Sequence, residues 1–117
     1  MVRRVAGRIL RDLGFEVVEA ATGREGLDQC RLHMPDVVLL DWKVGDTDGL
    51  AILHALRNME GGKRAGVVFC TAERSPGNIL RALEAGADEY IIKPFDADIV
   101  YSKLVLCGVL DPAQRAA

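Results

Sequence analysis

Three short apolar runs constrain this chain more than any other feature. Asp36-Val37-Val38-Leu39-Leu40 and Gly66-Val67-Val68-Phe69-Cys70 are continuous and of strand length, the pattern of a strand covered on both faces. Glu89-Tyr90-Ile91-Ile92 makes a third strand. Each run gives way to a polar residue: Asp41, Thr71 and Lys93. The segments between them have helical spacing and helix punctuation. Leu50, Leu53, Leu56 and Met59 fall on one helical face, and Gly61-Gly62 breaks it. Ser75 and Pro76 fit the N-cap and first position of a helix with Ile79, Leu80 and Leu83 inward and Gly86 past its end. Asp96 caps a last helix from Ala97 to about Gly108. Strands alternating with helices at this spacing predict an α/β fold, a parallel sheet with helices on both faces.

The N-terminal third reads less simply. Val2, Val5, Ala6, Ile9, Leu10 and Leu13 mark an amphipathic helix stopped by Gly14. Phe15-Glu16-Val17-Val18-Glu19-Ala20 has the composition of a strand. Thr22-Gly23-Arg24-Glu25 has capping-box spacing and opens a helix through His33, ended by Pro35. The expected organisation is one domain over residues 1–110 with a tail over 111–117. A length of 117 residues suits a single core.

Composition narrows the function. A formal charge of −2 offers no attraction to nucleic acid or an anionic membrane. No apolar run approaches the roughly 20 residues of a spanning helix. Cys30, Cys70 and Cys107 lack metal-ligand spacing and read as buried thiols of a reducing compartment, so the expected location is cytoplasmic. His33 and His54 fall on helices away from the strand ends and are expected to be exposed or helix-packing.

In open parallel sheets, ligand chemistry gathers at the carboxyl ends of the strands, where Asp41, Thr71 and Lys93 all lie. The segments VVLLDWKVGDTDGL, VVFCTAERS and AGADEYIIKPF resemble those of response-regulator receiver domains, specifically the chemotaxis CheY type. The likeness runs from Val2 to about Gly108. It implies a flavodoxin-like, doubly wound sheet and a phosphoacceptor switch in a two-component phosphorelay. Asp41 then matches the residue that a sensor histidine kinase or phosphotransfer protein phosphorylates. Thr71 matches the hydroxyl that bonds the phosphoryl group, and Lys93 the ammonium that contacts it. Tyr90 matches the aromatic residue whose rotamer follows Thr71. Mg²⁺ is implied, held by Asp41, the backbone carbonyl of Lys43 and an acidic pair after the first strand.

The sequence departs from that family pattern at two places. It opens in the first helix, so the first strand and its acidic pair have no counterpart, and Met1 reads as an internal methionine or a trimmed edge. The loop after Asp41 has Gly45 where the family usually has proline, which predicts a looser loop. Asp46 and Asp48 read as turn and cap residues. Trp42 reads as a partner contact or a cover for the site edge. Lys43 and Glu73, each two residues beyond a strand end, form a site rim and are expected to pair. The last helix is apolar on more than one face, with Tyr101, Val105, Leu106, Val109 and Leu110 in addition to Val100 and Leu104, which fits a partner or homodimer surface or packing of the tail. Output is expected as contact with a target protein through the last strand and helices. A pseudo-receiver that binds partners without phosphorylation is the alternative. An enzyme is not expected: an aspartyl-nucleophile phosphatase would want an aspartate where Lys43 stands.

Overall fold

The computed structural model of the protein describes residues 2–112, with side chains from Val5 onward. Its elements are α1 (Val2–Asp12), α2 (Gly23–Leu32), β1 (Val37–Leu40), β2 (Lys43–Val44), β3 (Thr47–Asp48), α3 (Gly49–Arg57), β4 (Gly66–Thr71), α4 (Pro76–Glu84), β5 (Glu89–Ile92) and α5 (Ala97–Leu106). The three apolar runs become one parallel sheet in the order β1-β4-β5. Val37 sits opposite Gly66 and Leu40 opposite Phe69, while Val68 sits opposite Glu89 and Thr71 opposite Ile92. All six residues of the central strand β4 are buried.

Side-chain alternation divides the interior in two. Leu40, Val67, Phe69 and Tyr90 point into a cluster with Ile52, Leu53 and Leu56 of α3, Ala82 of α4 and Leu27 of α2. Val68, Cys70 and Ile91 point the other way, against Leu10 of α1 and Val100 and Leu104 of α5. Helices α2, α3 and α4 therefore cover one face, and α1 and α5 the other. This is the doubly wound arrangement expected from the alternation of elements.

Local capping signals act as expected. The Thr22 hydroxyl accepts from the Glu25 amide at 3.1 Å, the Ser75 hydroxyl from the Asn78 amide at 3.4 Å, and the Asp96 carboxylate from the Ile99 amide at 2.9 Å. Helix α3 stops at Arg57, short of Met59 and the glycine pair. His33 and His54 are exposed. Cys70 is buried, but Cys30 and Cys107 are only half-buried.

The expected strand over Phe15–Ala20 does not form. Phe15 and Val17 pack against the same core cluster as Val37 and Leu39, yet the segment joins no sheet and Val18 is 68% exposed. Strand composition supplies side chains suited to a pleated surface, but a ladder needs a hydrogen-bonding neighbour, and among the described residues β1 pairs only with β4.

The apolar end of the chain is largely explained by packing. Leu110 is buried in the α5 cluster with Val105 beside it, and the Tyr101 hydroxyl donates to the Pro112 carbonyl at 3.1 Å. Leu106 alone of that set is strongly exposed, at 69%. The expected tail falls mostly outside the described residues, which end at 112.

Candidate functional site

Parallel pairing brings the carboxyl ends of β1, β4 and β5 to one edge, and the three singled-out residues stand there together. Asp41 follows β1, Thr71 ends β4 and Lys93 follows β5. The Lys93 Nζ donates to Asp41 Oδ2 at 2.6 Å, and the Trp42 amide donates to Asp41 Oδ1 at 2.6 Å. Both carboxylate oxygens thus have a donor, and the aspartate is held in one orientation while its side chain stays 39% exposed. Thr71 is 3% exposed, and its hydroxyl accepts from the Glu73 amide at 3.3 Å. Partial burial favours a neutral Asp41 carboxyl, but the bonds from Lys93 and the nearby Thr71 hydroxyl, with the Lys93 charge, hold its pKa below the usual value. The product is an accessible, charged, oriented carboxylate.

The remaining candidates are placed differently. Tyr90 is buried and stacks on Phe69 with centroids 5.8 Å apart, and its hydroxyl donates to the Glu73 carbonyl at 2.7 Å. Trp42 packs tilted against Phe69, with ring centroids 5.5 Å apart. Lys43 and Glu73 do not pair. Glu73 Oε1 instead accepts from the Ser75 amide at 3.0 Å, a bond that lowers its pKa, and Lys43 is exposed. A backbone donor two residues away is a nearer partner than a lysine on another loop.

The loop after Asp41 is not slack. Lys43–Val44 and Thr47–Asp48 pair as an antiparallel hairpin around Gly45-Asp46. Gly45 has φ +61°, a value closed to proline, so glycine here shapes a tight turn rather than loosening one. The Gly49 amide donates to the Trp42 carbonyl at 2.6 Å, which makes Lys43 and Asp48 a non-hydrogen-bonded pair and turns the Lys43 carbonyl away from β3. Asp48 caps α3 by accepting from the Leu50 amide at 2.8 Å.

Sequence reading missed Arg57 and Arg74. Arg57 donates to the carbonyls of Gly62, Ala65 and Gly86 and to Asp88, joining the loops at the opposite end of the sheet. Arg74 Nη2 donates to the Lys93 carbonyl at 3.1 Å. Their partners are mainly backbone atoms, which carry no sequence signal.

The family described as the response regulator receiver domain matches residues 1–104. The chain belongs to that family. Receiver domains are signalling modules of two-component systems, and this one resembles the chemotaxis protein CheY of Bacillus subtilis, at 33% identity over 100 residues, 85% of this chain and 82% of that protein. A solved structure of the chemotaxis protein CheY4 of Vibrio cholerae superposes with a TM-score of 0.84 at 28% identity, over 93% of this chain and 89% of that one. The receiver domain of a sensor histidine kinase from Pseudomonas aeruginosa superposes with a TM-score of 0.78 at 26% identity, covering 90% of this chain and 87% of that one. It holds a magnesium ion coordinated in its active site cleft. The CheY-like, flavodoxin-like fold is thereby established for this receiver domain.

The residues described here do not by themselves make such a metal site. Among them no group of three or more Asp, Glu, His or Cys side chains is placed to hold a cation. Asp41 and the Lys43 carbonyl are two oxygens against the near-octahedral set Mg²⁺ prefers, and Asp41 already carries an ammonium at 2.6 Å. No described helix is long and apolar enough to cross a membrane.

Proposed function

We propose that this receiver domain is a phosphoacceptor switch in which Asp41 takes a phosphoryl group from a histidine kinase or phosphotransfer protein. The observation that carries the reading is the Asp41–Lys93 contact at 2.6 Å beside the buried Thr71, at the open carboxyl edge of the sheet. An Asp41 oxygen attacks phosphorus, the bond from phosphorus to the donor imidazole nitrogen breaks, and that nitrogen leaves with its electron pair and takes a proton from solvent. A carboxylate is a weak nucleophile, so rate comes from position and charge neutralisation. Lys93 supplies the charge, swinging from the carboxylate to the incoming phosphoryl oxygens. Thr71 supplies a hydroxyl donor to the same oxygens.

Output follows from the link between this edge and β5. A new acceptor group draws Thr71, Thr71 bears on the Glu73 amide, and the Glu73 carbonyl is held by Tyr90. Helices α4 and α5 both pack on β5, and Leu80, Leu83, Ile92, Ile99 and Leu106 are exposed on these three elements. They form the surface assigned here to a downstream target protein or a second copy. The domain spans residues 1–110 in this reading, with Leu110 closing the core.

Incubation with acetyl phosphate followed by intact-protein mass spectrometry tests this. A single phosphoryl addition, absent from Asp41→Asn, is expected. The second reading is a pseudo-receiver that binds partners unphosphorylated; an unmodified mass with and without Mg²⁺ would support it.

A further inference from the structure

We propose that Arg74 is a positioning residue for Lys93, an inference that rests on the phosphoacceptor reading above. Lys93 is anchored through its backbone at two points. Its amide donates to the Thr71 carbonyl at 2.9 Å, extending the β4–β5 ladder by one residue. Its carbonyl accepts from Arg74 Nη2 at 3.1 Å. Both anchors come from one stretch, Thr71 to Arg74, which leaves β4 beside the site.

That stretch is itself held. The Glu73 amide donates to the Thr71 hydroxyl, the Glu73 carbonyl accepts from Tyr90, and Glu73 Oε1 accepts from the Ser75 amide. Arg74 therefore reaches Lys93 from a fixed base. Beyond Lys93 the chain passes to Pro94, which has no amide hydrogen to donate. The Arg74 contact is thus the tie on the far side of Lys93.

The consequence lies at the ammonium. A lysine side chain is a flexible four-carbon stem, so where its charge rests depends on where its backbone is held. Lys93 is 19% exposed and meets Asp41 Oδ2 at 2.6 Å. Release of the carbonyl lets the backbone, and the ammonium with it, drift from the point where a transferring phosphoryl group needs it. Arg74 is exposed, so its contact contributes little to overall stability, which separates positioning from folding. The same tie carries movement of the Thr71–Arg74 stretch directly to Lys93.

The test compares the full chain with Arg74→Ala and Arg74→Lys, using Arg81→Ala as control; Arg81 bonds Asn78 within α4. The first readout, without phosphodonor, is ¹³C relaxation of the Lys93 side-chain methylenes. The second is the rate of labelling by acetyl phosphate over a range of donor concentrations. Arg74→Ala is expected to loosen the Lys93 side chain and lower the saturating rate roughly tenfold. The half-saturating donor concentration and the melting temperature should stay put. Arg74→Lys should restore part of both losses, and Arg81→Ala should change neither. Unchanged Lys93 relaxation and rate in Arg74→Ala would overturn the proposal. If no form is labelled, the phosphoacceptor reading fails, and the relaxation result alone decides whether Arg74 positions Lys93.

Discussion

The hydroxyl of Tyr90 donates to the backbone carbonyl of Glu73 at 2.7 Å, tying the second residue of β5 to the loop that leaves β4. The ring is fixed as well, stacked on Phe69 at an interplanar angle of 6°. Tyr90→Phe keeps the stack and removes the tie. It should cost about 1 kcal/mol in denaturant unfolding, the worth of one hydrogen bond. Labelling of Asp41 should persist while chemical-shift changes over α4 and α5 on phosphorylation shrink. Undiminished changes would mean that the switch does not run through Tyr90.

Arg57 closes the opposite end of the sheet, and its side chain is only 16% exposed. Arg57→Ala strands the carbonyls of Gly62, Ala65 and Gly86 and should destabilise the fold by about 3 kcal/mol. Arg57→Lys keeps the charge but not the planar fork and should recover less than half. Urea unfolding of the three proteins measures both.

Gly49 lies where α3 starts against the turn after β1. A Cβ there would run into the Asp41 carbonyl and come within 2.9 Å of the Trp42 carbonyl. Gly49→Ala should cost about 1–3 kcal/mol through overpacking. Trp42, the one tryptophan of the chain, should report the displacement as a shifted emission maximum.

The parts of this site that depend on strand ends were legible in the sequence. Runs such as Val37–Leu40 and Gly66–Thr71, covered on both faces and alternating with helices, fit a parallel sheet, and that topology sends Asp41, Thr71 and Lys93 to one edge. Caps at Thr22, Ser75 and Asp96 were legible because they act within three residues. Phe15–Ala20 misled because pairing is a property of neighbours, not of the segment. The β2–β3 hairpin had a signal in Gly45-Asp46 between Val44 and Thr47, but setting glycine against proline makes the same position look slack. Glu73 went to Ser75 rather than Lys43 because local backbone donors win over exposed long-range charges.

Burial pushes the Cys70 thiol from 9.0 up to about 11, with the Asp41 charge adding to the rise and Lys93 opposing it. The unfolded chain then loses this proton first as pH rises, so the group's contribution to stability is intact below about pH 8.5 and is lost on approach to 11. Alkylation by iodoacetamide needs the thiolate. Native protein at pH 8 should react at Cys70 far more slowly than unfolded protein, and its rate should keep climbing beyond pH 10. A plateau near pH 9 would contradict the shift.

The most direct test of the account is the chemical identity of the phosphorylated residue. The full chain is incubated with acetyl phosphate, with and without Mg²⁺, then reduced with borohydride, which converts an aspartyl phosphate to homoserine. Peptide mapping should place homoserine at position 41 alone, with none in Lys93→Ala at matched times. Homoserine at another aspartate, or no reduction product under any condition while the protein remains folded, would contradict the assignment of Asp41 as phosphoacceptor.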